Sequence, residues 1–156
     1  MISFKQFRET VVVRALRHLE PEIPYSESAV NLLLMTMAHE SKGGTYLKQI
    51  NGPALGVYQM EPATEKDIWN YYLAYKEDLA YLVEEICPNP KREELVYNLA
   101  YATAMARIHY YRVQEALPDS DDTIALANYA KKYYNTHLGK AKASDYLTAF
   151  DYWRRA

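Results

Sequence analysis

Apolar residues recur at helical spacing through nearly all of this chain, and the spacing breaks down in one internal stretch, residues 45–59. A chain so patterned must bury the stripes of several helices against one another, with one irregular excursion between them. The expectation is therefore an all-α fold. Ser3 is placed to cap a first helix whose Phe4, Phe7, Val11 and Leu16 lie near one face, and Pro21 and Pro24 end it. Ser26 caps a second helix, with Glu27 in its first turn and Val30, Leu33, Leu34 and Met37 on one stripe. That helix runs out near Ser41, because Gly43 and Gly44 are poor helix formers and good terminators.

In the excursion, "TYLKQ" and "LGVYQ" flank "INGPA", whose Asn-Gly-Pro is turn chemistry, so a short hairpin or irregular loop is expected. Pro62 suits the first position of a third helix, to about Asn70, and a further helix near 76–86 stops at "CPNP". Asn89 and Pro90 then open the longest helix, to about Glu115, with Leu95, Leu99, Ala102, Ala106 and Val113 inward. Its alanines at 100, 102, 104 and 106 would let neighbouring helices approach closely. After the loop "LPDSDD", helices are expected over 121–134 and 144–155. No repeat or linker divides the chain, so residues 1–156 read as one domain, long enough to bury a core unaided.

Charge and cysteine usage exclude several classes of function. With 18 basic and 20 acidic side chains the net charge is -2, which supplies no general basic field for nucleic acid. The single Cys87 cannot form an internal disulfide and reads as a packed thiol. His18, His39, His109 and His137 are widely separated, and "HES" lacks the second histidine of His-Glu-x-x-His. No metal and no other cofactor is expected. "MISFKQFRET" lacks the basic and apolar regions of a signal peptide, and the longest apolar run is far short of the ~20 residues of a membrane span. The expectation is a monomer made in the cytoplasm without membrane insertion. Tyrosine is abundant, at 16 copies against 3 Phe and 2 Trp, which suits both helix edges and sugar-binding grooves. Edge packing is the simpler of those two readings.

Glu40 stands where the apolar face of the second helix ends, and no Asp or Glu follows from Ser41 to Met60. A carboxylic acid that protonates a leaving group near neutral pH must hold its proton there, and an apolar setting without like charges does this. Gly43, Gly44, Gly52 and Gly56 would let a ligand approach the backbone. On these residues alone, a solvated helix-terminal glutamate is the plainer reading.

The order of the residues adds a resemblance. Glu40-Ser41, a spacer, and then Gly52 to Thr64, "GPALGVYQMEPAT", resemble the first motif block of the soluble lytic transglycosylases, relatives of goose-type lysozyme. Ala54, Gly56, Gln59, Pro62 and Thr64 keep that family's spacings, with Pro53 in place of a glycine. "IALANYAKKYYN" is similar to the family's Ala-Leu-Ala-x-Tyr block, which puts Tyr129 on its tyrosine, although Ala130 and Lys131 replace the usual Asn and Gly. Joined, the blocks run from Ser26 to Asn135.

The resemblance implies a lysozyme-like helical fold, peptidoglycan glycan strands as substrate, and Glu40 as the catalytic acid. It implies that Ser41, Gln59 and Tyr129 line the cleft, where amide and hydroxyl groups bind an N-acetyl group or orient Glu40. Tyr58 and Met60 flank Gln59. In an extended segment they would point away from it, leaving a wall-forming and a core role, with core packing favoured for Met60 and Tyr58 a candidate substrate contact. Gln49 stands where phage lysozymes of another branch keep an aspartate, and Glu61, before Pro62, reads as a helix N-terminal charge. One unassisted glutamate favours a lytic transglycosylase, whose carboxyl acts as acid and then as base, over a lysozyme-type hydrolase. A rival of another class is a glycan-binding or virion structural module without activity. Small size and the lack of an export signal suggest a bacteriophage protein, an endolysin released by a holin or a virion component.

Overall fold

The computed structural model describes residues 1–90, 93–134 and 139–156. His137 and Asn135 therefore lie outside the described residues, as do positions 91 and 92. The fold is all-α: helix makes up 62% of the chain, and no strand occurs among the described residues. The order is α1 (Phe4–Phe7), a π-helical turn (Arg8–Val12), α2 (Val13–His18), α3 (Glu27–Glu40), α4 (Pro62–Tyr71) and a 3-10 turn (Leu73–Tyr75). Then come α5 (Glu77–Ile86), α6 (Glu94–Tyr97), α7 (Leu99–Tyr111), α8 (Thr123–Tyr133) and α9 (Ala143–Arg155). Ser3 Oγ accepts the Gln6 N–H at 3.3 Å and Ser26 Oγ the Ala29 N–H at 3.1 Å, so both expected caps form. No helix among the described residues is long and apolar enough to cross a membrane.

The single long helix expected from Asn89 to Glu115 is instead two. Asn98 leaves helical geometry (φ −101°, ψ 96°), and its Oδ1 accepts the Tyr101 N–H at 2.9 Å, which caps α7. Its Nδ2 donates to the Ile86 carbonyl at 3.1 Å, tying the break to the end of α5. An Asn side chain satisfies an unpaired N–H at a helix start better than it packs inside a helix, and here that preference wins over the apolar spacing. α7 also stops at Tyr111, short of Glu115.

α3 is more central than a one-sided stripe implies. Leu32, Met35 and Thr36 are buried along with Val30, Leu33, Leu34 and Met37. The Thr36 hydroxyl is accommodated by donating to the Leu32 carbonyl at 2.7 Å and pairing with the Tyr110 hydroxyl at 2.7 Å. α3 packs on α8 and α9 in one apolar cluster that also takes Ala102, Ala106 and Tyr110 from α7. The rest of α7, with Tyr101, Ala104, Met105 and Ile108, joins Ile68, Leu79, Val83 and the free thiol of Cys87 in a second cluster. The alanine-rich helix thus sits between both cores.

The excursion between α3 and α4 carries only two isolated antiparallel bridges, Lys48 with Leu55 and Leu55 with Met60. Gly56 pins it. Its φ of +77° disfavours a side chain, and a Cβ there would overlap the Leu95 carbonyl oxygen of α6. Its N–H meanwhile donates to the Leu47 carbonyl at 2.7 Å.

Candidate active site

Glu40 is the last residue of α3, one residue beyond buried Met37 and Ala38, so the packed end of the helix delivers its carboxyl to the edge of the core. Burial raises its pKa from 4.5 to about 7. The Tyr146 hydroxyl, brought by α9, donates to Glu40 Oε2 at 2.6 Å and opposes that shift by favouring the ionised form. Tyr146 is itself fully buried, and desolvation together with the Glu40 charge pushes its own pKa up, so it remains a donor. The His39 ring lies against Tyr146, centroids 4.2 Å apart, and burial holds its pKa down.

Glu40 opens onto a cavity of about 610 Å³. The hairpin and the start of α4 contribute Gln49, Ala54, Gln59, Met60, Glu61 and Thr64, and His109, Tyr134 and Gly139 also line it. Gln59 Nε2 donates to the Gly56 carbonyl at 2.9 Å, which leaves the amide oxygen as an acceptor. Gln49 Oε1 accepts the Ala54 N–H at 3.1 Å, closing the tip of the hairpin. Tyr134 donates to the Tyr58 carbonyl at 2.6 Å and packs edge-on against His109, centroids 5.2 Å apart. Burial, and then the Arg112 charge, push His109 down to about 4, so it is neutral at physiological pH. Arg112 Nη2 donates to His109 Nδ1 at 3.1 Å, which puts the imidazole proton on Nε2. A smaller cleft of about 360 Å³ shares the hairpin, with Lys48, Pro53, Leu55 and Tyr97 in its wall, but no buried acid.

The site residues expected from sequence divide. Glu40 and Gln59 share the cavity wall. Ser41 is fully buried, and its hydroxyl closes the helix end by donating to the Met37 carbonyl at 3.2 Å and accepting the Gly44 N–H at 3.0 Å. It stands behind Glu40 rather than at the cavity. Tyr58 also turns inward, its hydroxyl paired with that of Thr103 at 2.9 Å, and it meets the site only through the carbonyl that holds Tyr134. The extended geometry that would alternate these side chains is absent, because Gln59 takes a left-handed φ of +49°. Met60 both packs in the second core and reaches the cavity.

Tyr129 lies away from the cavity as well. It is buried in the first core, and its hydroxyl donates to the Glu115 carbonyl at 2.8 Å. The tyrosine that lines the cavity instead is Tyr134, the C-cap residue of α8, five residues on. At about 100° per residue that puts it on a different side of the helix. Tyr146, Tyr134, His109, Glu61, Thr64 and Gln49 have site positions that spacing did not reveal. Glu61 and Thr64 carried a usable signal, since both sit within the first motif block. Tyr146 is 106 positions from Glu40 and had none.

Comparison of the chain with protein-family models, with curated proteins and with solved structures finds no match.

Proposed function

We propose that this protein cleaves the β-1,4 bond between N-acetylmuramic acid and N-acetylglucosamine in peptidoglycan, as a lytic transglycosylase with Glu40 as its acid and base. One observation carries the reading: a carboxyl with a pKa of about 7 stands in the wall of an open cavity of about 610 Å³. An ordinary surface glutamate is fully ionised at that pH and has no proton to give. Glu40 near neutrality is present in both forms, as a group that first donates and then accepts requires.

In the first step the Glu40 proton passes to the glycosidic oxygen. The C1–O bond breaks with its electron pair on the leaving sugar, and positive charge develops on the muramyl ring. In the second, the muramyl six-hydroxyl oxygen bonds to C1 and its proton returns to Glu40. Atoms balance without water, and the product is a 1,6-anhydro sugar. Tyr146, still protonated, holds the newly formed carboxylate in place between the steps. The Gln59 amide and Thr64 hydroxyl in the same wall match the amides and hydroxyls of an N-acetylated glycan. The order of Glu40, Gly56, Gln59, Pro62 and Thr64 supports peptidoglycan as the polymer. The setting proposed for this activity is that of a bacteriophage endolysin or virion component.

The test is cleavage of purified peptidoglycan by the wild type and by Glu40→Gln. Release of soluble fragments by the wild type and its loss by several orders of magnitude in the variant, with the fold retained, is the expected result. An active Glu40→Gln protein would end the reading. Binding of glycan without cleavage by the wild type would make the protein a binding module instead.

A further inference from the structure

We infer that His109 is a positioning residue for the cleavage reaction: its neutral imidazole ties Arg112 to the end of α8 and holds Tyr134 in the cavity wall, and acid undoes that tie. The inference rests on the cleavage reading above and assigns to that reaction its acid limb.

Three helices meet at this ring. Asp67 of α4 accepts from Arg112 Nη1 at 2.7 Å, and Arg112 Nη2 donates to His109 Nδ1 at 3.1 Å. A guanidinium has donors and no acceptor, so Nδ1 must keep its lone pair and the ring proton belongs to Nε2. That N–H lies toward the carbonyl of Tyr133, the last residue of α8. Tyr134 follows, meets the imidazole edge-on, and donates its hydroxyl proton to the Tyr58 carbonyl at 2.6 Å. His109 and Tyr134 both line the cavity of Glu40. This part of the wall is therefore held twice, by the imidazole to α7 and by the hydroxyl to the backbone beside Gln59.

Protonation reverses the contact with Arg112. An imidazolium carries N–H on both nitrogens, so two donors and two positive charges would meet where one hydrogen bond stood. The ring must then turn from Arg112, and the Tyr133 contact and the edge packing of Tyr134 go with it. Asp67, the Tyr133 carbonyl and the C-terminal end of α7 favour the cation, while burial and the Arg112 charge oppose it. The opposition wins, and the imidazole stays neutral down to about pH 4. Tyr110 and Tyr134, whose rings pack on it, are pushed up by burial and carry no charge at such pH. Glu40 shares the cavity but is protonated there. Glu61, the other acid of that wall, is not among the charges of the described residues that shift the ring.

The cleavage scheme supplies no acid limb of its own. Glu40 must begin protonated, and lowering the pH only fills that form. The carboxylate that takes the second proton is made in the first step. Loss of activity in acid therefore reports the His109 tie and not the reacting carboxyl.

The experiment records pH–activity profiles on one peptidoglycan preparation for wild type, His109→Gln, His109→Phe and Arg112→Met. The His109 and Tyr134 ring resonances of the wild type are followed by NMR over the same range. Wild-type activity should fall below about pH 4. Glutamine offers an acceptor and a donor side by side but does not titrate, so His109→Gln should lose this limb. Phenylalanine keeps a ring edge and neither polar contact, so near neutral pH His109→Phe should lose about tenfold to a hundredfold of activity, more than the glutamine variant. Arg112→Met removes a like charge, so its acid limb should move up by about one pH unit. A wild type with no acid limb, the same limb in His109→Gln, an unmoved limb in Arg112→Met, or a fully active His109→Phe overturns the inference. The Tyr134 resonances should titrate together with His109, and signals that ignore the imidazole overturn the inference even in a protein that cleaves nothing. Glu40→Gln run alongside separates the two failures. If it is active, the cleavage reading falls; if it is silent while His109→Gln keeps the wild-type limb, only the role of His109 falls.

Discussion

Replacing Glu40 by glutamine should make the protein more stable, and by an amount that depends on pH. In the unfolded chain the carboxyl titrates near 4.5, and in the fold burial moves it to about 7. Between those values the folded chain keeps a proton that the unfolded chain has released, so stability falls as pH rises through the interval. Below it both states are protonated and the acid costs nothing. Above it both are ionised and the full cost of a buried charge is present. At about 1.4 kcal/mol per pH unit, the interval amounts to about 3 kcal/mol. Glutamine keeps the shape, can still accept from Tyr146, and carries no charge to desolvate. The variant should therefore match the wild type at pH 4 and exceed it by about 3 kcal/mol at pH 8, or ~6–12 °C in melting temperature for a chain of this size. Paired urea titrations of both proteins at the two pH values measure this directly. A stability difference that is the same at pH 4 and pH 8, or a variant weaker than the wild type at pH 8, would refute the buried-acid reasoning.

Three other substitutions follow from the same geometry. Tyr146→Phe removes the hydrogen bond that favours ionised Glu40, worth about 1.5–3 kcal/mol to a charged acceptor, so the alkaline limb of the pH–activity profile should move up by about one to two pH units; an unmoved or lowered limb counts against it. Tyr129→Phe should cost about 1 kcal/mol of stability through the lost bond to the Glu115 carbonyl and leave activity per folded molecule intact. Reduced turnover at an unchanged melting temperature would put Tyr129 back at the substrate. Gly56→Ala forces a side chain onto a φ of +77° and into the Leu95 carbonyl, so it should cost more than about 1 kcal/mol in urea titration and depress activity by displacing the hairpin; wild-type stability would contradict that packing.

The helices were legible because their signals are local. Ser3 and Ser26 cap where their side chains can reach a nearby N–H, and the glycines after Glu40 end α3. The break at Asn98 was hidden by apolar residues that keep helical spacing on both sides of it, and it depends on Asn98 reaching the Ile86 carbonyl, a tertiary contact. The site divides in the same way. Glu40 and Gln59 belong to one motif block, and both reach the cavity. Tyr129 was placed by a block match in α8, but which face of α8 meets the cavity is set by its packing on α3 and α9, and that packing presents Tyr134. Ser41 and Tyr58 flank true cavity residues, yet a helix end and a left-handed φ at Gln59 turn both inward.

The most direct measurement is the mass of the sugar-containing fragments that the wild-type protein releases from purified peptidoglycan. Glu40 acting as acid and then base, with the muramyl six-hydroxyl as nucleophile, requires muropeptides ending in 1,6-anhydro-N-acetylmuramic acid, each lighter by one water than the corresponding hydrolysis product. Fragments that end in a reducing sugar would contradict the single-carboxyl transglycosylase mechanism, and release of no glycan fragments at all would contradict cleavage itself.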